Sequence, residues 1–508
     1  MGKKTQRKVG TQSKGIPQRQ DFSNYSRSGA SLVNKALMDI NSFLNTPDED
    51  ISDNIDILKA RSREMYMGNS VGIAAIRKIR TNSIGIGLKL KSTIDYKIIG
   101  ISQEEAEELE DRLESLWEYW AESTECDYNR MKNFYQLQAL AMTSKLVDGE
   151  AFAVMPYKSN LKEAFELKVR LLDSANCVSP NGSDSDTIVK GVETDPEGVP
   201  VAYYFARDKE KTDVVKVPIF GEKSGRRNII HVFDSERIGQ KRGIPLLSPL
   251  IEELHQITKV GRAELKNIAV STIFSAFIKN ESQETMLKGA SKLGEKPAKE
   301  IPILQFDSGN FGELAPGQDI VFANPNRQYS PLDTFIGSII KKIGAALEIP
   351  NDVLISYFNK SYSASRAALN EAWRTYLVHR QNFLIEFCNP IYSEFVDYLI
   401  DKKQIELKGY KEDLLKRRAY LSCEWIGSSP GQIDPIKEVR ASIEKINNGL
   451  STREREMKAL GLGEYDKIQN QRKREVLNEL KLEELKRKSR ELKGGETNVV
   501  VESGKEKK

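Results

Sequence analysis

Two long helical stripes with a broken stretch between them constrain this chain more than any other feature. From Ser248-Pro249 onward, Leu250, Leu254, Ile257, Gly261, Leu265 and Ile268 recur at helical spacing. Serine is a favoured N-cap, and proline at the first helical position loses no needed hydrogen bond. The period returns from Pro331 to Leu347, where Ser330 with Asp333 three residues on has the form of a capping box and Ile349-Pro350 ends the run. At about 100° per residue, Phe335, Ile336, Ile339, Ile340, Ile343 and Leu347 cover one side of that helix, and Gly337, Ser338, Lys341, Gly344 and Ala345 the other. Each mid-helix glycine costs about 1 kcal/mol relative to alanine, so a merely solvated face would not favour two of them. Small residues let another backbone come close, which makes Gly337 and Gly344 candidates for packing between chains. An ordinary helix with two tolerated glycines is the simpler account. Between the stripes, residues 280–330 are cut into short pieces by Gly, Pro and Asn, as a compact insertion would be.

The remaining segments alternate between helical and extended patterns. Residues 1–28 carry Lys3, Lys4, Arg7, Lys8, Lys14 and Arg19 before the first acid, Asp21, and read as a disordered basic arm. Helical patterns fill Ala30 to Ile79, Gln103 to Trp120 (with Leu109, Leu113, Leu116, Trp117 and Trp120 on one face) and Phe134 to Leu146, which stops at Asp148-Gly149. Strands are expected at Ile84–Leu90, Ala151–Tyr157, Leu167–Leu172 and Ile229–Phe233. Ile188–Glu193 and Val201–Phe205 form a hairpin across Asp195-Pro196-Glu197-Gly198. A polar loop, Asn351 to Ser363, leads to a third long helix from about Ala364 to Cys388, with Leu369, Trp373, Tyr376, Phe383, Phe387 and Ile391 as its stripe. Beyond Trp425 the pattern is helical and charged: Asp434-Pro435 opens one helix, Ser451 with Glu454 caps the next, and charge alternates densely from Asp466 to Leu492. Residues 494–508 read as a disordered tail. The fold class expected is α+β, predominantly α-helical.

At 508 residues, with 39% hydrophobic and 30% charged, the chain can bury a large core in more than one unit. No run approaches the ~18 apolar residues of a membrane helix, so no membrane partner is expected. A net charge of +4 excludes a polybasic nucleic-acid coat, because phosphate neutralisation dominates tight binding of that kind. Cys126, Cys177, Cys388 and Cys423 lie far apart, and His231, His255 and His379 are isolated, so neither a zinc site nor any other metal site is indicated. A GxxxxGK[ST] phosphate loop and a GxSxG elbow are both lacking, and Gly85-Ile86-Gly87 has no third glycine. No cofactor is expected. Asp148 and Glu150 are a possible carboxylate pair for metal-dependent nuclease chemistry, but no further acid and lysine cluster accompanies them. Making the turn around Gly149 is their plainer role. Without a catalytic constellation the chain reads as a structural part rather than an enzyme, with catalytic residues none.

Several stretches resemble the lambda family of bacteriophage portal proteins, together spanning about residues 55–465. Ala60-Arg61-Ser62-Arg63 through Asn69, then Arg80-Thr81-Asn82-Ser83-Ile84-Gly85-Ile86-Gly87-Leu88, is similar to the family's arginine-rich helix and the strand after it. Cys126-Asp127, Phe134-Tyr135-Gln136-Leu137-Gln138 and Asp148-Gly149-Glu150-Ala151-Phe152 resemble the next block. Ser361-Tyr362-Ser363-Ala364-Ser365-Arg366-Ala367 ahead of Glu371-Ala372-Trp373-Arg374 is the most distinctive match. Trp425-Ile426-Gly427, Ile433-Asp434-Pro435-Ile436-Lys437-Glu438 and Asn448-Gly449-Leu450-Ser451-Thr452 resemble the closing block.

The resemblance implies a portal-type fold with wing, stem, clip and crown regions, assembling as a ring, usually of twelve subunits, at one capsid vertex. Carried onto this chain, it implies an α/β wing at 29–245, stem helices at 246–279 and 331–348 around a clip at 280–330, and a channel loop at 349–363. A wing helix and return would follow at 364–424, and a helical crown at 425–493. It further implies double-stranded DNA passing through without sequence readout, a terminase large subunit docking at the clip, and a major capsid or scaffold protein around the ring. Head-completion and tail adaptor proteins would replace the motor. The implied location is the virion portal vertex, with the host cytoplasm during assembly. In such a channel Lys341, Lys360 and Arg366 are the candidates to meet DNA phosphate, since single cations repeated around a ring make a diffuse collar that reads no base edge. A solvated lysine, or an arginine paired with an acid such as Glu371, is the plainer account of each. Two other readings stay open: a different ring-forming connector or baseplate scaffold, and a metal-dependent nuclease or terminase component.

Overall fold

The computed structural model describes residues 29–31, 34–272, 276–280, 318–322, 330–358, 361–430, 435–463 and 465–495. The basic arm, most of the 280–330 insertion, Lys360 and the tail lie outside the described residues. The chain is α+β with helices dominating.

The amino-terminal half opens with α1 (Pro47–Ser52), α2 (Ile55–Gly68) and α3 (Ser70–Ser83), followed by strand β1 (Lys89–Ser92) and the short α4 (Tyr96–Ile99). Asn69 joins two of these, because its Oδ1 accepts from the backbone of Val71 and Gly72 at the start of α3. The strand expected at Ile84–Leu90 is largely a turn. Gly85 and Gly87 take φ of 64° and 125°, so the alternating Ile-Gly run bends through left-handed geometry before β1 begins. Helix α5 (Gln103–Glu122) starts in a capping box made by Ser102 and Glu105, and α6 (Phe134–Asp148) in one made by Asn133 and Gln136. Strand β2 (Glu150–Val154) lies between β3 (Arg170–Leu172) and β8 (Ile229–Phe233), antiparallel to both. A second sheet of β4 (Ile188–Val189), β5 (Val192–Thr194), β6 (Pro200–Ala206) and β7 (Val214–Pro218) contains the expected hairpin across Asp195–Gly198.

Helix α7 (Ile251–Thr272) follows a 3-10 turn at Ser248–Leu250. Ser248 does not cap this turn: Leu247 holds that position, and the Ser248 hydroxyl is buried without a partner among the described residues. Strands β9 (Ala276–Asn280) and β10 (Gln318–Phe322) pair antiparallel at the two ends of the insertion, and α8 (Ser330–Ala346) returns. The expected polar loop begins with a helical turn, α9 (Asn351–Leu354), whose Asp352, Val353 and Leu354 are buried. Helix α10 (Tyr362–Phe383) does not stop at Cys388. It continues through a π turn at Leu384–Cys388 into α11 (Asn389–Asp401). Pro390 explains the wide turn, since in a regular helix its ring would crowd the Glu386 carbonyl.

The chain ends with α12 (Leu414–Tyr420), β11 (Cys423–Ile426), α13 (Pro435–Asn447), α14 (Arg453–Leu460) and α15 (Tyr465–Gly495). Trp425 lies on β11, which pairs with β1 across more than three hundred residues of sequence. Thr452, rather than Ser451, caps α14. The main core centres on Trp117, whose ring sits 5.0–5.6 Å from those of Trp120, Phe134, Tyr392, Phe395 and Trp425. This one side chain therefore joins α5, α6, α11 and β11.

Candidate ring and channel surface

Asp148 and Glu150 are held by cations of the same chain. Arg63 grips Asp148 with Nε and Nη2 at 2.7 and 2.8 Å and reaches Asp173 at 2.6 Å. Glu150 is fully buried, and its oxygens accept from Lys59 Nζ at 2.7 Å, Arg242 Nε at 3.0 Å, the Gly243 amide at 3.0 Å and His231 Nε2 at 3.0 Å. Burial alone would raise the Glu150 carboxyl, but Arg242, Lys59 and the His231 hydrogen bond hold it well below the usual carboxylate range. Among the described residues, no group of three or more His, Cys, Asp or Glu side chains is arranged to hold a metal. Lys59 and Arg63 thus clamp the turn around Gly149 onto their own helix, α2.

His231 is stacked between Phe152 and Phe233, with centroids at 4.1 and 4.3 Å. Burial pulls its imidazole below the usual value, against the opposing effect of Glu150. A neutral ring beside an ionised carboxylate donates from Nε2 and accepts the Tyr203 hydroxyl at Nδ1, 3.2 Å away. Unfolded histidine takes a proton near pH ~6.5, whereas the folded ring resists it, so this residue removes stability as pH falls below that value. His379, half-buried and also lowered by desolvation, acts in the same direction. His231→Gln keeps a donor and an acceptor without the titration. Its stability is expected to fall less steeply than the wild type's between about pH 7.5 and 5.5, measured as urea midpoints. Parallel slopes would rule out this role for His231.

The sequence-predicted channel and packing residues lie on α8 and its neighbours. Ile339, Ile343 and Leu347 are buried, with Ile340 partly buried against the same core, whereas Lys341, Lys342 and Ser338 are exposed. Phe335 was expected on the apolar side but is 51% exposed at the insertion end of α8. A side chain added at Gly337 would meet nothing within 4 Å. Gly344 differs, because a Cβ there would lie 2.6 Å from the Ile349 carbonyl oxygen. The Ile349 amide in turn donates to Gly344 O at 2.9 Å and the Glu348 amide to Ala345 O at 3.2 Å, a Schellman ending. Glu348 occupies its left-handed position, φ 55°, where glycine is usual, and Thr375 Oγ1 donates to its carbonyl at 3.0 Å.

Lys341 shares a groove with Glu348, Glu371 and Arg374, and Arg374 pairs with Glu371 at 3.1 Å. Arg366 stands apart from Lys341. It turns toward Glu438 of α13, 3.4 Å away, and toward the Tyr362 hydroxyl at 3.3 Å. Among the described residues Arg380 pairs with no acid; it donates to the carbonyls of Ser83, Asn82 and Ser428 at 2.7, 2.9 and 2.8 Å, tying α10 to the end of α3 and to the segment after β11. Lys342 was missed as an exposed cation of this surface, whereas Arg374 has the acid partner, Glu371, that the sequence reading gives it. The Lys341-Lys342 pair and the spacing from Glu371 to Arg374 were visible, but not their common location. In the loop, Tyr357, Phe358 and Tyr362 are 62%, 45% and 49% exposed, so a segment read as polar carries an aromatic surface.

The profile of the lambda family of phage portal proteins matches residues 35–380, well over half of the chain. The chain belongs to that family. It is 24% identical over 446 residues to portal protein B of Escherichia phage lambda, covering 82% of this chain and 83% of that protein. To the portal protein of Escherichia phage N15 it is 22% identical over 443 residues, with the same shares. A chain in the neck of an empty gene transfer agent particle aligns with 81% of this chain and 94% of its own at 12% identity, with a TM-score of 0.45. As a member of the family this is a portal subunit, built for a ring, and the family match spans α2, the Glu150 clamp, both long helices and most of α10.

Proposed function

We propose that the portal ring formed by this chain, of twelve subunits, conducts double-stranded DNA at one capsid vertex in both directions. The observation that carries the reading is α8, with one face buried in its own subunit and the other offering Gly337, Ser338, Lys341 and Lys342 to surfaces outside it. In this reading α7 and α8 are the stem, 280–330 the clip that docks the terminase large subunit, 349–363 the channel loop, and 425–493 the crown. The wing at 29–245 and 364–424 meets the major capsid or scaffold protein, and head-completion and tail adaptor proteins take the motor's place after filling. The subunit is made and assembled in the host cytoplasm. Lys341, with Lys360, supplies isolated positive charge without base-edge readout, which suits a polymer that must keep moving. Arg366, drawn to Glu438, would reach DNA only by leaving that partner. Electron microscopy of the purified chain should show a funnel-shaped ring with an open channel. Packaging by rings bearing Lys341→Glu and Lys360→Glu should slow measurably while ring yield is unchanged. Solid particles without a channel, or normal packaging rates in the double variant, would count against the reading.

A further inference from the structure

The cleft between α2 and α7 is lined by His255, Lys259, Arg262 and Lys266 opposite Met65, Gly68 and Asn69, with Glu64 also on its wall. The four basic residues follow one another at intervals of four, three and four, so they fall within about 60° of each other on the helix. All four are exposed, and none of them pairs with an acid among the described residues. Helix α5 carries a face of the opposite sign. Glu104, Glu107, Glu108 and Asp111 are exposed within about 100° of one another, also without an ion-pair partner among the described residues. Arg112, the cation of that helix, is turned away to the Gln404 carbonyl at 2.6 Å. The runs Lys259 to Lys266 and Glu104 to Asp111 are equally long, about 10 Å of helix. Lysine, arginine and lysine are spaced by three and then four residues. The acids offer that order through Glu104, Glu107 and Asp111, and its reverse through Glu104, Glu108 and Asp111. The register therefore fits parallel or antiparallel helices.

The two faces belong to different flanks of the subunit. Helix α6 packs against α5 and against α2, and α2 packs against α7, giving the contact order α5, α6, α2, α7. A ring closes by heterologous contacts, in which one patch of each subunit meets a different patch of the next. Complementary faces on separate flanks have that form, whereas faces on the same flank would satisfy one another within the chain.

We propose that the basic cleft of α2 and α7 receives the acidic face of α5 from the neighbouring copy in the ring. This rests on the ring reading and adds to it the charge register that sets the order of subunits. Like charges brought together at such a seam disfavour it, and opposite charges guide the approach. The triple variant Lys259→Glu, Arg262→Glu, Lys266→Glu should remain a folded chain by circular dichroism, because all three side chains are exposed. Its ring fraction in native mass spectrometry at low salt should fall about tenfold or more. Glu104→Lys, Glu107→Lys, Asp111→Lys should do the same. Combining all six reversals in one chain restores opposite charges at every seam and should restore rings. Unimpaired rings in either triple variant, or no recovery in the six-fold variant, overturns the proposal. Intact rings with weakened retention of double-stranded DNA would assign the cleft to phosphate instead. A wild-type chain that forms no rings at all would remove the ring reading, and this inference with it.

Discussion

Glu150→Ala is expected to destabilise the folded chain by about 3–5 kcal/mol, among the largest effects of any single substitution outside the aromatic core. The carboxylate has no solvent exposure and accepts from four different groups, two of them cations that are themselves 4% and 5% exposed. Its removal leaves Lys59 and Arg242 facing one another in the interior. Lys59 can respond by giving up its proton, toward which burial already pulls it. Arg242 cannot, because guanidinium stays charged in proteins, and its remaining acceptors among the described residues are the carbonyls of Cys177, Lys190 and Ser174. The cost is that of an uncompensated buried charge rather than the net worth of an ion pair, which can be small. Asp148→Asn provides the contrast. Arg63 is 34% exposed and keeps Asp173 as a second acceptor, so a loss of about 1 kcal/mol is expected there. Urea midpoints for the two variants should therefore differ by a wide margin, and a Glu150→Ala midpoint close to wild type would mean that the clamp is hydrated and weak. The same measurement bears on nuclease chemistry, because a carboxylate buried under four donors has no lone pair turned outward to a metal.

Long periodic segments were legible in the sequence because their signal is local. The face of α5, the stop of α6 at Gly149 and the hairpin around Asp195–Gly198 each follow from spacing or turn chemistry within a few residues. What the sequence did not disclose depends on partners far away along the chain. The pairing of β1 with β11 occupies four residues on each side, too few for a period, and Trp425 is on a strand only because Lys89–Ser92 is there to receive it. The continuation of α10 past Cys388 was hidden by Asn389-Pro390, a pair that locally signals an ending but is accommodated here by the π turn. The candidate surface divides the same way. Periodicity separated the buried and exposed sides of α8, yet nothing local could tell that Gly344 backs onto the Ile349 carbonyl while Gly337 faces open space, or that Arg366 is drawn to Glu438. The roles of Asp148 and Glu150 were ambiguous for a related reason, since the cations that claim them come from positions 59, 63 and 242.

Those two glycines are expected to respond in opposite ways to substitution. Gly344→Ala should destabilise the single subunit by about 1–3 kcal/mol, since the new methyl overlaps a carbonyl fixed by the helix ending and alanine's better helix propensity recovers only about 1 kcal/mol. Gly337→Leu should leave the subunit as stable as before or slightly more so, because its site is open and leucine favours helix by a little under ~1 kcal/mol. Ring assembly should show the reverse emphasis. If the neighbouring subunit's backbone comes close at Gly337, leucine there holds the two apart, and about 1.4 kcal/mol lost per seam lowers the association constant tenfold. Because every seam of a closed ring carries the same substitution, the penalty is repeated around it, and complete rings should be nearly absent by native mass spectrometry while the monomer's thermal midpoint is unchanged. Gly337→Ala, adding a single methyl, should fall between. Gly337→Leu rings as abundant as wild type, with packaging slowed, would place the small face toward the channel; abundant rings with normal packaging would leave Gly337 as a tolerated glycine on a solvated face.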